Sequence, residues 1–412
     1  MFDLKKIYLI NKEKLAVFLF MSGMLIAYLG SLNPWFMWPI GTLYALPAGT
    51  LIVASYMFSI TLSSPIYTRN DFILPLTAFL ALSYYQLIVN GGRFGGFVIN
   101  LFHVILFLSL FLIDIKRLEG LATFLSRFLG GLLSVSIVAF FFWMLGGALP
   151  SRDASFADGL YSYTNYYFFL LDDRALMALF ARFHSVFLEP GQIGTACVML
   201  LFTQCGKWKK WYNIAMIITT ILSFSLAAYV LIVYVTFANL WIQGKRVFLK
   251  MMTSVLIFAS IIVGSFFYNS GNNLIHDLIL IRMEVDEGDI AGNNRVTEDF
   301  DAEYSNFWKS SDTMLGRDMP KDNFGNSGYK VYIYENGIIG VFLLLFFFFS
   351  SLHSATNKKA LLSGIILALL AFLVRGTPLW YCNFIPIYIM AYYNPKALYA
   401  GIDANKDIET DE

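Results

Sequence analysis

Three side chains able to grip an anion or move a proton fall within eight residues of the stretch "ARFHSVFLEPGQIG", positions 181–194: Arg182, His184 and Glu189. A guanidinium holds phosphate oxygens through two parallel hydrogen bonds, so Arg182 suits a phosphate group arriving along a membrane. His184 and Glu189 are then candidates for positioning or deprotonating an incoming hydroxyl. The same residues admit a structural role. Pro190 fits the first position of a helix, Glu189 would cap its dipole, and Arg182 would snorkel to lipid headgroups.

A second polar region, 269–333, is rich in Asp, Asn and Gly with scattered aromatics. Arg295 in "GNNRVTEDF" is another candidate phosphate or sugar ligand, with solvation as the plain alternative. Tyr304 and Trp308 suit either stacking on a sugar ring or packing on the membrane surface. The acidic stretch "MEVDEGDIAGNN" is superficially similar to a calcium loop but lacks the alternating oxygen-ligand spacing and the closing glutamate. The adjacent carboxylates of "LLDD", 170–173, diverge if they lie on a helix. Metal dependence is therefore not expected. No nucleotide-binding loop, zinc motif or serine-hydrolase elbow stands in a suitable context, so no cofactor is expected either. An enzyme of this kind needs a substrate that is already activated, and a lipid pyrophosphate is the membrane-borne form of one.

The elements that must position these groups follow from composition. The chain has 412 residues, of which 58% are hydrophobic and 14% charged, with a formal net charge of +1; its mean hydropathy is +0.63. Such values indicate a polytopic membrane protein, and a net charge near zero carries no signal for nucleic acid. A hydrocarbon core of about 30 Å takes roughly 20 helical residues, and apolar runs of about that size recur along almost the whole chain. They fall at about 15–31, 38–60, 72–90, 96–114, 121–149, 189–205, 212–224, 226–242, 247–268, 335–352, 360–375 and 378–394. The expected architecture is all-α, with about twelve transmembrane helices. The run "NIAMIITTILSFSLAAYVLIVYVTFANLW" is long for one span and short for two, and reads as a hairpin turning at "SFSLAAY". Cys197, Cys205 and Cys382 lie in or beside apolar runs without paired spacing, which suggests neither a disulfide framework nor a zinc site.

Lysines 5, 6, 12 and 14, followed by an apolar run without a small-residue cleavage site, favour a retained signal-anchor span. If these lysines are cytoplasmic, alternation also puts "DIKRLEG", "GKWKK", "QGKR" and "HSATNKK" inside, as the positive-inside rule asks. Both termini are then cytoplasmic, and two large segments lie outside. The expected organisation is membrane helices over 1–149, a first outer loop at 150–188, central helices over 189–268, a second outer loop at 269–333, C-terminal helices over 334–394, and an acidic cytoplasmic tail at 395–412. In the first loop, "LLDDRALMALFARF" has the apolar spacing of an amphipathic helix lying on the membrane. Inside the spans His103 is the clearest ionisable residue, with Arg127 near a span end. That scarcity counts against an ion-coupled transporter.

Four stretches in order, "ARFHSVFLEPGQIG", "ILSFSLAAYV", "NNRV" and "DNFGNSGYKVYIYENGIIGVFLLL", resemble the bacterial O-antigen polymerases of the Wzy type. These belong to the polymerase and ligase superfamily of lipid-linked glycan glycosyltransferases. The resemblance spans 181–352, while the first five spans match only as apolar helices. It implies a GT-C-like, metal-independent, inverting glycosyltransferase acting at the periplasmic face of the inner membrane. Such enzymes move a growing glycan from undecaprenyl pyrophosphate onto the non-reducing sugar of a lipid-linked repeat unit. Its partners would be undecaprenyl-pyrophosphate-linked oligosaccharides and membrane lipids, with a chain-length regulator also admitted. By the resemblance, Arg182 and Arg295 match pyrophosphate-binding arginines of the two loops, and Glu189 with Pro190 matches the family's E-P pair. Asn326 stands where ligase-type relatives carry a histidine thought to act as base, which favours a polymerase and leaves any base to Glu189 or His184. Tyr329 and Glu335 fall in the same motif as sugar-positioning candidates with Asn326, and Glu335 also admits a helix-start role. The alternatives are a ligase acting on lipid A core and a flippase of the same lipid.

Overall fold

The computed structural model describes residues 4–58, 69–113, 115–156, 161–173, 181–243, 298–319, 328–374 and 378–392, with scattered positions at 252–268 and the pairs 285–286 and 289–290. Each apolar run carries a helix, except 247–268, which lies largely outside the described residues. Before the first loop come α1 (Leu4–Leu32), α2 (Ala45–Phe58), α3 (Arg69–Val89), α4 (Phe94–Leu112) and α5 (Ile115–Met144). Then follow α6 (Pro190–Thr203), α7 (Trp211–Leu222), α8 (Leu226–Gln243), α9 (Glu298–Phe307), α10 (Gly328–Ser350), α11 (Lys358–Val374) and α12 (Tyr381–Tyr392). The expected hairpin turns where α7 gives way to α8, at Ser223–Ser225.

Among the described residues seven helices are long and apolar enough to cross a membrane: α1, α3, α4, α5, α8, α10, and α2 with the 3-10 turn before it. The other runs expected among about twelve spans carry the shorter helices α6, α7, α11 and α12, or lie largely outside the described residues at 247–268. With 14 and 12 residues, α6 and α7 extend only about 21 and 18 Å at 1.5 Å per residue, short of a hydrocarbon core of about 30 Å. The packing gives the reason for α6. From Gly191 to Thr203 every residue is buried, against α5, α7, α8 and α12. A helix apolar on all sides belongs inside a bundle, where its neighbours, not its own length, match the bilayer. All twelve residues of α12 are buried in the same way.

The segment 150–188, expected as the first outer loop, carries β structure among its described residues, which the all-α expectation lacked. Strands β1 (Arg152–Phe156), β2 (Tyr161–Asn165) and β3 (Leu170–Asp172) form an antiparallel sheet in that order. The stretch "YSYTN" alternates about one face, as a half-buried strand should. The amphipathic helix expected over "LLDDRALMALFARF" is not formed at either end: Leu170–Asp172 is β3, and 181–184 is non-helical, while 174–180 lies outside the described residues. A short helix is marginal without packing, whereas pairing with β2 places Leu170 and Leu171 in the core.

Backbone hydrogen bonds stitch this loop to the ends of the helices. Trp35 donates to Val186 at 2.9 Å, Leu170 to Ser185 at 2.8 Å, and Phe183 to Leu222 at 3.0 Å. The Ser185 hydroxyl donates to Ser136 Oγ at 2.7 Å, which donates in turn to the Phe168 carbonyl at 2.6 Å. Paired backbone groups satisfy donors that would otherwise be stranded at the bundle end. In the second loop, Val285–Asp286 (β4) pairs antiparallel with Asp289–Ile290 (β5), so the acidic stretch forms a hairpin there.

One long helix is broken. α10 departs from helical geometry at Gly337, with φ 62° and ψ −172°. The break frees backbone groups, and a turn from the second loop takes them up: Arg317 N–H donates to Tyr334 O at 2.9 Å, and Ile339 N–H donates to Met314 O at 3.1 Å. Tyr85 of α3 donates to Leu315 O and Asn336 O, both at 3.0 Å. This contact requires glycine on both sides. A Cβ on Gly316 (φ +88°) would lie 2.3 Å from Glu335 O, and one on Gly337 would lie 2.4 Å from Met314 O.

Candidate functional site

Helix α6 positions Glu189. Pro190 occupies the first helical turn and Glu189 is the N-cap, with extended φ/ψ of −136° and 140° and no cap hydrogen bond from its own side chain. Its backbone carbonyl accepts from Gln192 and Ile193 at 3.2 and 3.3 Å. The half-buried carboxylate is instead held by the loop sheet: the Tyr161 hydroxyl donates to Glu189 Oε1 at 3.3 Å. Glu189 sits at the positive end of a helix, and its carboxylate faces another element.

His184 lies beneath it, 1% exposed. The segment reverses at Ser185, whose φ is +53°, and the reversal is closed twice: Phe187 N–H donates to His184 O at 3.1 Å, and His184 Nδ1 lies 2.6 Å from Phe187 O. A carbonyl only accepts, so Nδ1 carries the proton and Nε2 holds the lone pair. That Nε2 is buried without a hydrogen-bond partner among the described residues. Burial lowers the imidazole's pKa, with Arg182 acting in the same direction; the Phe187 carbonyl, Asp172 and Glu189 oppose it. His184 is a neutral, buried acceptor packed 5.7 Å from the ring of Tyr163.

Arg182 spans from this segment to the α7–α8 turn. Its Nε donates to Ser223 O at 3.1 Å and its Nη2 to Phe224 O at 3.3 Å. These carbonyls end α7, where a cation also meets the negative end of the helix. Phe224 holds a left-handed φ of 45°, so the arginine braces a strained turn. Neutral carbonyls orient the guanidinium without adding negative charge. Snorkelling to headgroups is not its whole role.

Of the remaining sequence candidates, four fall among the described residues in or next to α9 and α10. Tyr304 of α9 packs within a ring cluster of Phe300, Phe307 and Trp308, and burial raises its phenol pKa. Trp308 is 47% exposed. Tyr329 is half-buried in the first turn of α10. Glu335, also half-buried, stands two residues before the break at Gly337, after which the second helical segment of α10 begins, so its position is compatible with the helix-start role. Arg295 and Asn326 lie outside the described residues. Among the described residues, ring contacts and one hydrogen bond lead from His184 through Tyr163 and Tyr161 to Glu189, and His184 feels the charges of both Arg182 and Glu189; Tyr304 packs separately on Trp308.

Two residues went unremarked in the sequence. Tyr161 was signalled only by the alternation of "YSYTN". Arg317 is the hub of the second group: it pairs with Glu303 at 2.9 Å and Asp312 at 3.5 Å, donates to Ser310 at 3.0 Å, and lies 5.3 and 5.2 Å over the rings of Phe307 and Tyr334. Its partners are 5–17 residues away along the chain, and no spacing rule links them. Among the described residues, no group of three His, Cys, Asp or Glu side chains is placed to hold a metal. No protein-family model, curated protein or solved structure matches the chain.

Proposed function

We propose that this chain polymerises lipid-linked oligosaccharide repeat units, transferring a growing glycan from undecaprenyl pyrophosphate to the non-reducing sugar of a new unit on the periplasmic side. The observation that carries the reading is the convergence of Glu189, His184 and Arg182 in a folded element stitched to one end of an apolar helical bundle. That location suits a lipid substrate whose tail stays in the membrane while its anionic head and sugars lie outside. The four-motif resemblance supplies the reaction class.

In the proposed reaction the acceptor hydroxyl oxygen attacks the anomeric carbon of the donor glycan. The bond from that carbon to the pyrophosphate oxygen breaks, and its electron pair leaves with undecaprenyl pyrophosphate. Glu189 takes the hydroxyl proton, with Tyr161 O–H orienting the carboxylate. Arg182, aimed by its two carbonyl partners, together with Arg295, meets the charge developing on the leaving group. His184 shapes the turn that presents Glu189, and its Nε2 is the second candidate base.

The test is the glycolipid pool of cells lacking the protein. Single repeat units attached to lipid A core are expected. Long chains stranded on the carrier would point to a ligase, and units trapped on the cytoplasmic side to a flippase.

A further inference from the structure

Two half-buried aromatic rings near the Tyr161–Glu189 pair, Trp38 and Phe156, have no part in the reaction above. Phe156, at the end of β1, lies directly opposite Tyr161 in the ladder, so the two side chains leave the same face of the sheet. Tyr161 and Tyr163, two apart in β2, stack with centroids 6.4 Å apart and planes 9° from parallel. Trp38, between α1 and α2, packs 5.2 Å from Phe156 and 5.8 Å from Tyr163. Its indole N–H donates to Asn33 O at 3.0 Å, which fixes the ring. Tyr163 is buried, and its hydroxyl donates to Leu188 O at 2.7 Å; it backs the other three. Trp38, Phe156 and Tyr161 remain half-buried, and at the Tyr161 end the wall meets the Glu189 carboxylate.

The chemistry of this wall is two-sided. An aromatic face carries partial negative charge and attracts C–H groups, while the carboxylate beside it accepts O–H donors. A lipid tail would use only the first property and a free anion would be repelled by the second. A pyranose uses both: one face of the ring is a patch of C–H bonds, and hydroxyls project from its rim. We propose that Trp38, Phe156 and Tyr161 form a saccharide subsite that lays one sugar ring on the aromatic face and turns a hydroxyl toward Glu189. Because Trp38, Phe156, Tyr161 and Glu189 offer no cation to a phosphate, the sugar this subsite takes is the acceptor end of the glycan. The proposal rests on the reading of the chain as an enzyme of lipid-linked glycans.

The test uses the full chain in detergent and a lipid-free repeat-unit oligosaccharide as probe, with binding followed by saturation-transfer NMR and titration. The wild type is expected to bind. Trp38→Leu should weaken binding about tenfold and raise KM for the lipid-linked acceptor by a similar factor while leaving kcat close to wild type; Trp38→Tyr should recover most of the loss. Phe156→Leu offers the same comparison if Trp38→Leu does not fold. Binding by the wild type without any chain growth would uphold the subsite and remove the polymerase reading. Chain growth with wild-type KM in both leucine variants would remove the subsite and leave the polymerase reading in place. Absence of any sugar signal with the wild type would overturn the subsite as well.

Discussion

Arg182→Ala is expected to destabilise the fold before any effect on catalysis is counted. The guanidinium donates to Ser223 O at 3.1 Å and to Phe224 O at 3.3 Å. A bond from a charged donor contributes about 1.5–3 kcal/mol, and both the partial exposure of Arg182 and the longer second contact argue for the lower end. The two together then amount to about 3 kcal/mol. Phe224 is also held at a positive φ, which costs roughly 1–2 kcal/mol that the surrounding contacts must offset. The protein carries its own reporters for this measurement. The thiols of Cys197, Cys205 and Cys382 are buried, so a thiol-reactive fluorophore in detergent signals unfolding as they become accessible. Compared at one heating rate, Arg182→Ala should unfold several degrees below wild type, and Arg182→Lys, with one ammonium for two carbonyls, should fall between them. An unchanged midpoint for Arg182→Ala would refute the brace and return the whole side chain to ligand binding.

His184 can be dissected by geometry. Asparagine reproduces the Nδ1–H that binds Phe187 O, whereas glutamine places its amide near the Nε2 position; if His184 is structural, His184→Asn should keep both stability and chain growth, and His184→Gln should lose stability. An inactive but fully stable His184→Asn would instead identify Nε2 as the base. Since burial holds the imidazole below its ordinary pKa, the unfolded chain binds the extra proton first, and stability should fall as pH drops below about 6.5, by at most about 1.4 kcal/mol per unit. Denaturation midpoints at pH 7.5, 6.5 and 5.5 should show that slope, and it should flatten in His184→Asn. At the α10 break, Gly337→Ala should cost about 3 kcal/mol through its positive φ and the backbone clash, read as a lowered thermal midpoint; a neutral effect would mean that the 314–317 turn is not seated there. Glu189→Gln should slow chain growth by roughly 10²–10⁴-fold with little change in midpoint, because the amide oxygen can still accept from Tyr161; near-normal rates would reduce Glu189 to a helix cap.

What hydropathy could show was where helices run. The runs within the described residues became helices because burial of apolar side chains decides both. Hydropathy could not show that α6 is shielded on every side, so a 14-residue helix and a full span look alike from composition. The break at Gly337 is equally hidden, since the groups that satisfy it come from Met314 and Arg317, more than 15 residues earlier. "LLDDRALMALFARF" has helical spacing, yet β2 offered Leu170 and Leu171 a better burial, an instance of tertiary packing overriding local pattern. At the candidate site, Glu189 and Pro190 were legible because capping chemistry is local. The second use of Arg182 was not, because its carbonyl partners lie 41 and 42 residues away.

The most direct test of the central claim is to incubate the purified protein with a synthetic undecaprenyl-pyrophosphate repeat unit, without nucleotide sugar or added metal, and resolve the products by gel and mass spectrometry. A ladder spaced by one repeat unit, with release of undecaprenyl pyrophosphate, is the predicted result. No ladder with any repeat unit, together with glycosylation of added lipid A core or passage of the lipid across a vesicle membrane, would contradict it.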